Sequence, residues 1–372
     1  MLDGKADRIG LCGTGMTYAE MRDGIRQPGA VDVDAADHRS AAAFLMDWLG
    51  RQPLFDTVEA VGHRVVHGMN HSAPERVTPE LVAELKRITA YDPEHLPREI
   101  ELIEAVSRAR PALPQVACFD TAFHRTMPRV ATMLPIPRRY EAKGVRRYGF
   151  HGLSYTFLMA ELGRLSDGAA ARGRVILAHL GNGASLAAVR GGRCIDTSMG
   201  FTPAAGLVMS TRSGDLDPGI MSFLASTESM DAASYQRMVT QESGLLGVSE
   251  TSSDLRDLMA RAGDDVRAAE AVDLFCYQTR KWIGSFAAAL GGVETLVFSG
   301  GIGENAVAVR ARICEGLRFL GVELDDERNA RSAAVISTER AGVVVRVIRT
   351  DEESVIAGAT IRVLDWNTTQ DA

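Results

Sequence analysis

The sequence predicts an α/β protein of two domains related by internal duplication. Three observations carry this. Apolar runs of strand length alternate with runs of helical period along the chain. The second half sets them in a definite order of three strands, a helical region, then strand, helix, strand and helix. The first half repeats the later part of that order, by succession of elements and not by residue identity. A length of 372 residues suits two domains better than one.

The elements follow in order. In the first half, Ala35–Leu49 has helical period, and the apolar run Thr57–Val66 leads into Gly68 as a strand. Helices are predicted over Pro79–Thr89 and Arg98–Ala109, and a strand over Gln115–Phe119 that runs into Asp120-Thr121. In the second half, Ser154–Leu165 is helical. Val175–Leu180 and Ala184–Val189 flank Gly181-Asn182-Gly183, and Asn-Gly between two strand-like runs signals a hairpin. Arg193–Asp196 follows a Gly191-Gly192 turn. After the helix Ala268–Leu290, the strand Thr295–Ser299 ends in Gly300-Gly301, helix Ala306–Leu320 follows, and Val343–Ile348 runs to Thr350-Asp351-Glu352-Glu353. This β-β-β-α-β-α-β-α order is the ribonuclease-H-like pattern. It divides the chain into 1–124 plus 354–372, and 125–353, with a cleft expected between two such domains. The reading places the beginning of the chain at the third strand of the first domain, without the opening hairpin that the second domain keeps.

Composition sets bounds on function. The apolar fraction of 46% and charged fraction of 24% are those of an ordinary globular protein. A net charge of −7 argues against non-specific nucleic-acid binding, and an anionic substrate then needs locally placed arginines. Lysine is confined to Lys5, Lys86, Lys143 and Lys281. Cys12, Cys118, Cys194, Cys276 and Cys314 are widely spaced, odd in number and without a C-x-x-C pair. That pattern predicts a reducing, cytoplasmic setting without disulfides or structural zinc. No stretch has transmembrane length, and Met1 to Gly10 has no signal-peptide core.

One segment stands out chemically. In Phe298-Ser299-Gly300-Gly301-Ile302-Gly303-Glu304-Asn305, clustered glycines lie between strand and helix. Glycines let backbone N–H groups approach an anion, and a helix N-terminus favours it. The segment matches neither G-x-x-x-x-G-K-[ST] nor the dinucleotide fingerprint, so alone it reads as a structural turn. His63, His67 and His71 are spaced by four, but Gly68 breaks a helix there and no carboxylate accompanies them, so they do not read as a zinc site.

Seven motifs then combine in order. They are Gly62-His63-Arg64-Val65-Val66-His67-Gly68, Phe119-Asp120-Thr121-Ala122-Phe123-His124, Arg147-Tyr148-Gly149-Phe150-His151-Gly152 and His179-Leu180-Gly181-Asn182-Gly183-Ala184-Ser185. Asp196-Thr197-Ser198-Met199-Gly200-Phe201-Thr202-Pro203, Thr211-Arg212-Ser213-Gly214-Asp215 and the Gly301–Asn305 loop complete the set. This succession resembles the acetate kinase family of carboxylate kinases, within the acetate and sugar kinase, Hsp70 and actin superfamily. The resemblance runs from about Arg8 to about Asp365.

The resemblance implies Mg2+-dependent (or Mn2+-dependent) transfer of the γ-phosphoryl of ATP to a small carboxylate, giving an acyl phosphate and ADP. Such transfer holds two anions in line and neutralises charge on the moving oxygens, which suits the planar fork of arginine. Arg64 and Arg212 match the family's catalytic arginines, and Asp120 and His151 its other catalytic positions. Arg64 sits inside an apolar strand, where a solvated charge is less expected. Glu352 takes the position near the metal, although the family's Thr-Asn-Glu-Glu is Thr350-Asp351-Glu352-Glu353 here. His179, Gly181, Asn182 and Gly183 match the phosphate side of the nucleotide site. Asp254, Leu255 and Arg256, with Gly301, Ile302, Gly303 and Asn305, match its adenosine side. Ser253 also reads as an N-cap for the helix that follows it.

Val66, Phe150 and Pro203, beside Arg64, match the substrate pocket. A fourth pocket position, commonly leucine, is Glu94, just before His95, which resembles a family histidine of less direct role. That departure leaves acetate, propionate and butyrate open. The family's opening Asn-x-Gly-Ser-Ser-Ser-x-Lys turn, which faces the transferring phosphate, has no match here, so a non-catalytic nucleotide-binding protein is the alternative. The family pairs through its second domain, so the resemblance implies a homodimer.

Overall fold

The computed structural model describes residues 2–365, apart from 8, 10–13, 23, 24, 34, 36, 166 and 167. Cys12 and the 366–372 end of the expected first domain lie outside the described residues. The chain divides into two compact units. One comprises Met1–Val66, Ala73–Cys118 and Ile356–Ala372, and the other His67–Ser72 and Phe119–Val355.

In the first unit, β1 (Leu2–Asp7), β2 (Gly15–Arg22) and β3 (Ile25–Asp32) form an antiparallel sheet in that order. The apolar pattern predicts no strand before Thr57, so all three correct it. The reason is physical. β3 is largely exposed and contains Pro28, which a sheet tolerates on an edge strand such as this one. Only scattered residues of β2, Met16 and Ala19 among them, are buried, so alternation is faint. Tyr18 packs on Trp48 of the helix His38–Gly50, which Asp37 caps by accepting from Ser40 N at 2.8 Å.

A second sheet in this unit has the order β4 (Val61–Val65), β6 (Gln115–Phe119), β5 (Glu75–Arg76). The expected strand Thr57–Val66 is shorter at its start, because Pro53–Thr57 forms a 3-10 turn. Helices Pro79–Arg87 and Leu96–Ala109 accompany it, and Ala42, Met46, Phe55, Ala105 and Val106 share one core.

The second unit holds a five-stranded sheet in the order β11-β10-β7-β8-β9. These strands are β7 (Arg174–Leu180), β8 (Ala184–Arg190), β9 (Arg193–Thr197), β10 (Thr295–Ser299) and β11 (Val344–Val347). β7, β8 and β9 run antiparallel, while β10 lies parallel to both β7 and β11. This is the order and sense of a ribonuclease-H-like sheet. β8 and β10 are almost wholly buried because helices cover both faces. On one face, Tyr155, Leu158 and Leu162 of helix Gly152–Leu165 pack on Val175, Leu177, Ala187, Val189 and Val297. The 25-residue helix Val266–Leu290, capped by Asp265 and ended by Gly291 at φ 73°, packs on β7, β8 and β9. Among the described residues, no helix is long and apolar enough to cross a membrane.

Candidate active site

The site in the second unit is built where β7, β10 and β11 end. Parallel pairing sets His179 of β7 opposite Ser299 of β10, so the turns after both strands emerge side by side. Gly300 adopts φ 76°, and a Cβ there would lie 2.7 Å from Leu180 O. Only glycine lets this turn settle against the first one. A Cβ built on Gly181 would lie 3.9 Å from Gly301 N. The Glu304 carboxylate then ties the second turn to the segment after β11, accepting from Gly300 N at 2.9 Å and Thr350 N at 3.1 Å. Thr350 Oγ1 donates to Ser154 Oγ at 3.1 Å, and Ser154 Oγ donates to Glu352 Oε1.

Ser154 belongs to the first turn of helix Gly152–Leu165, and that helix start gathers the other groups. The buried Asp120 directly follows β6 and accepts from His151 N through Oδ2 at 3.3 Å. A Cβ on Gly152 would stand 1.8 Å from Asp120 O, so no other residue fits there. His151 itself is held at φ 59°, a left-handed conformation costly for a side chain of its size. Its ring lies 4.5 Å from that of His179, and its Nδ1 is 2.8 Å from Ser185 Oγ.

The hairpin tip between β7 and β8 completes the arrangement. The Cβ position of Gly183 is 3.1 Å from His151 Nε2 and 3.6 Å from Arg212 Nη1. Arg212 Nη1 donates to Pro203 O at 3.1 Å, and Ser210 N donates to Asn182 O at 3.2 Å. Asn182 is exposed at the tip. Contacts thus bring together Asp120, His151, His179, Gly181, Asn182, Gly183, Pro203, Arg212 and Gly301, with Glu352 joined through Ser154. A guanidinium and an imidazole nitrogen beside one glycine turn suit a phosphoryl group.

Other predicted residues stand elsewhere. Asp254, and not Ser253, caps the helix Leu255–Arg261, because its carboxylate reaches Arg256 N at 2.9 Å. The same carboxylate pairs with the exposed Arg256 guanidinium at 2.5 Å, and Leu255 is buried. Ile302 and Gly303 lie in the short helix Gly300–Asn305, where Asn305 Nδ2 donates to Gly301 O at 2.9 Å. Arg64 and Val66 belong to the first unit. Arg64 lies inside β4 as expected, where strand alternation buries His63 and Val65 and leaves the Arg64 side chain exposed. Val66 N donates to the Glu99 carboxylate at 3.1 Å. His63 is satisfied by Gln115 Oε1 at 2.7 Å, His71 stacks on Phe119, and His67 meets Tyr148 and Phe150 edge-on.

Carboxylate oxygens are the hard donors that magnesium takes. Asp120 and Glu352 offer hard oxygens at one helix start, and no group of three or more His, Cys, Asp or Glu residues placed to hold a metal occurs among the described residues. Magnesium is commonly held by one or two carboxylates together with phosphate oxygens and water.

Three supporting residues carried no assigned role in the sequence. Glu304 and His124 lay inside quoted motifs, whereas Arg310 gave no signal. Arg310 is fully buried and places its donors on Gly303 O, Glu304 O, Asn329 Oδ1, Asn329 O and Ser332 Oγ, all within 3.0 Å. His124 Nε2 donates to Phe150 O at 2.9 Å, which leaves Nδ1 to accept from Cys194 Sγ at 3.2 Å. It therefore holds the peptide just before the strained His151.

Burial lowers the His124 pKa from 6.5 to about 4. The folded form thus binds fewer protons between those values, and the stability this gives is full above 6.5 and lost as pH falls through 4. The shift corresponds to about 3 kcal/mol. Urea midpoints measured across this range should fall more steeply for the natural chain than for His124→Gln. Parallel profiles would contradict the assignment.

The comparisons with known proteins agree in kind. The Acetokinase family model matches residues 2–358. The acetate kinase of Rhodopseudomonas palustris (strain ATCC BAA-98 / CGA009) is 45% identical over 335 residues, 89% of this chain and 84% of the relative. The propionate kinase of Citrobacter rodentium (strain ICC168) is 42% identical over 369 residues, 98% of this chain and 91% of the relative. Among solved structures, Porphyromonas gingivalis acetate kinase superposes with a TM-score of 0.86 at 35% identity, covering 98% of this chain and 93% of that one. A propionate kinase from Francisella tularensis subsp. tularensis SCHU S4 gives 0.88 at 33%, covering 96% and 92%. With its sheet order, its paired glycine turns and these relatives in agreement, this chain belongs to the acetokinase family.

Proposed function

We propose that this chain transfers the γ-phosphoryl of ATP directly to acetate, reversibly, giving acetyl phosphate and ADP. The observation that supports this most is the convergence of Arg212, His151 Nε2 and the Asn182-Gly183 turn at one sheet end. An acetate oxygen forms the new bond to the γ-phosphorus as the bond to the β–γ bridging oxygen breaks. Acetate is already ionised at neutral pH, so charge balances without a proton and the nucleophile needs no base. What the protein must supply is alignment and neutralisation of the equatorial oxygens.

In this reading Arg212 and His151 donate to the moving phosphoryl group, and Arg64 holds the carboxylate. His179, Gly181, Asn182 and Gly183 line the phosphates. Asp254, Leu255 and Arg256, with Gly301, Ile302, Gly303 and Asn305, take the adenosine. Val66, Phe150 and Pro203 are the residues proposed for the substrate's methyl group. The proposed domains are residues 125–353, which carry the nucleotide, and 1–124 with 354–372. Asp120 and Glu352 would hold Mg2+ (or Mn2+) on the phosphates, where the ion neutralises developing charge. A propionate preference is the second reading, supported by the propionate kinase relative at 42% identity, while Glu94, at a position where the family pocket is commonly apolar, leaves the preferred acid open.

Hydroxylamine trapping tests both. ATP, Mg2+ and each of acetate, propionate and butyrate are supplied, and hydroxamate is measured with and without EDTA. The proposal expects the highest kcat/KM with acetate and no product in EDTA. A higher value with propionate selects the second reading. Folded, ADP-binding protein without hydroxamate selects the non-catalytic alternative.

Assembly as a cytoplasmic homodimer belongs to the same proposal. Cys118, Cys194, Cys276 and Cys314 are free thiols, in keeping with a reducing compartment. Helix Gly219–Glu228 is apolar, yet none of its residues is buried, and Phe223 is 63% exposed. A second copy covering this helix would remove that surface from water. Light scattering should give twice the 40.1 kDa chain mass, and Phe223→Glu should halve it. A monomer in the natural chain would overturn this part.

A further inference from the structure

The core beneath His151 contains a chain of hydroxyl groups that the reaction itself does not require. Ser185 Oγ, fully buried on β8, lies 2.8 Å from His151 Nδ1 and 2.5 Å from Tyr155 Oη. Tyr155 is fully buried on the helix Gly152–Leu165, against the rings of Phe123 and His124. Burial drives its phenol well above the usual range, so it keeps its proton.

The direction of this chain follows from donor counting. The buried Tyr155 O–H must find an acceptor. His124 cannot serve, because its Nε2–H is given to Phe150 O and its Nδ1 accepts from Cys194. Among the described residues Ser185 Oγ is the hydroxyl partner recorded for Tyr155, so Tyr155 donates to Ser185. Ser185 then directs its own single proton to His151 Nδ1. The reverse order would send the Ser185 proton to Tyr155 and strand the phenolic proton in an apolar pocket, with the desolvation penalty that this carries.

We propose that Tyr155 and Ser185 are positioning residues that fix the His151 tautomer with its proton on Nε2. That nitrogen is the ring atom facing the Gly183 turn. A neutral imidazole so held presents an N–H donor to the site at all times, and never a lone pair that would repel phosphoryl oxygens. The other ring nitrogen's partner thereby decides which nitrogen carries the proton. The kinetic importance of this relay rests on the proposed donation by His151 to the phosphoryl group.

The test combines nitrogen-15 NMR of histidine-labelled full-length chain with steady-state kinetics. The natural chain should show His151 as the Nε2–H tautomer. Ser185→Ala should populate the Nδ1–H form and lower kcat about 10–100-fold, with the KM for ATP changed less than about twofold. Tyr155→Phe should act in the same direction but less, because Ser185 still donates. If Ser185→Ala leaves the tautomer unchanged, the relay is wrong, whatever happens to kcat. His151→Gln separates the two ideas. Normal kcat in that variant would remove the catalytic reading of His151, while the tautomer measurement would still decide the relay.

Discussion

Arg212→Ala is expected to lower kcat a hundredfold to a thousandfold, on the order of 3–4 kcal/mol, with little change in the KM for ATP. The guanidinium is half-buried, pinned by Pro203 O at 3.1 Å and set beside the Asn182-Gly183 turn. It is therefore held in place before any phosphoryl group arrives. A donor of this kind acts most strongly on charge that develops during transfer, and removing one typically costs about 3–4 kcal/mol. Lysine should recover little, because a point charge replaces a planar fork. The KM for ATP should hold because Asp254–Arg256 and Gly301–Asn305 carry the proposed adenosine contacts. Steady-state kinetics on purified variants decides this, and near-normal kcat in Arg212→Ala would remove the residue from the chemistry.

Arg310→Met should destabilise the protein by about 3–5 kcal/mol, a large effect for one residue outside the proposed contacts. Arg310 is fully buried, and its N–H groups reach three backbone carbonyls, Asn329 Oδ1 and Ser332 Oγ. Methionine fills similar volume but leaves those acceptors without a donor in a site that water does not reach. Two of the carbonyls belong to Gly303 and Glu304 of the glycine turn, so the KM for ATP should rise as well. Lysine carries three donors and should recover only part of the loss. Urea unfolding gives the measurement, and an unchanged midpoint would show that the turn is held by other means.

Much of the second unit was legible because its signals are local. β7, β8 and β10 are continuous apolar runs, and glycine turns fix their ends. Asn182-Gly183 set the hairpin register that pairs Leu180 with Ala184. The first unit was harder. β1 and β3 are mostly exposed, and the buried residues of β2, Met16 and Ala19, are three apart and not two, so no strand period marks them. β5 has two residues, too few for any pattern. The acidic run around Glu352 opens the helix Glu352–Val363, where negative charge complements the helix dipole.

The candidate site divides the same way. Motif order was enough to name His151, Asn182 and Arg212, which the structure sets around one turn. The residues that hold them were not readable. Arginine and glutamate are expected on surfaces, so nothing in the local sequence marks Arg310 as buried or Glu304 as a brace. Other braces join residues far apart in the chain: Glu304 reaches Thr350, and Ser154 reaches Glu352. Such pairs become visible only when the sheet brings its strand ends together.

The central claim is direct, in-line transfer between ATP and a carboxylate on this one chain. Calorimetry with ADP, Mg2+, aluminium fluoride and acetate tests it most directly, because the metal fluoride mimics a phosphoryl group in flight. The account predicts that ADP binds at least about 100-fold more tightly when fluoride and acetate are both present, as a transition-state mimic should. It predicts that Arg212→Ala abolishes this gain while ADP alone still binds. If acetate and aluminium fluoride change ADP affinity only additively, or not at all, the account of direct transfer is contradicted.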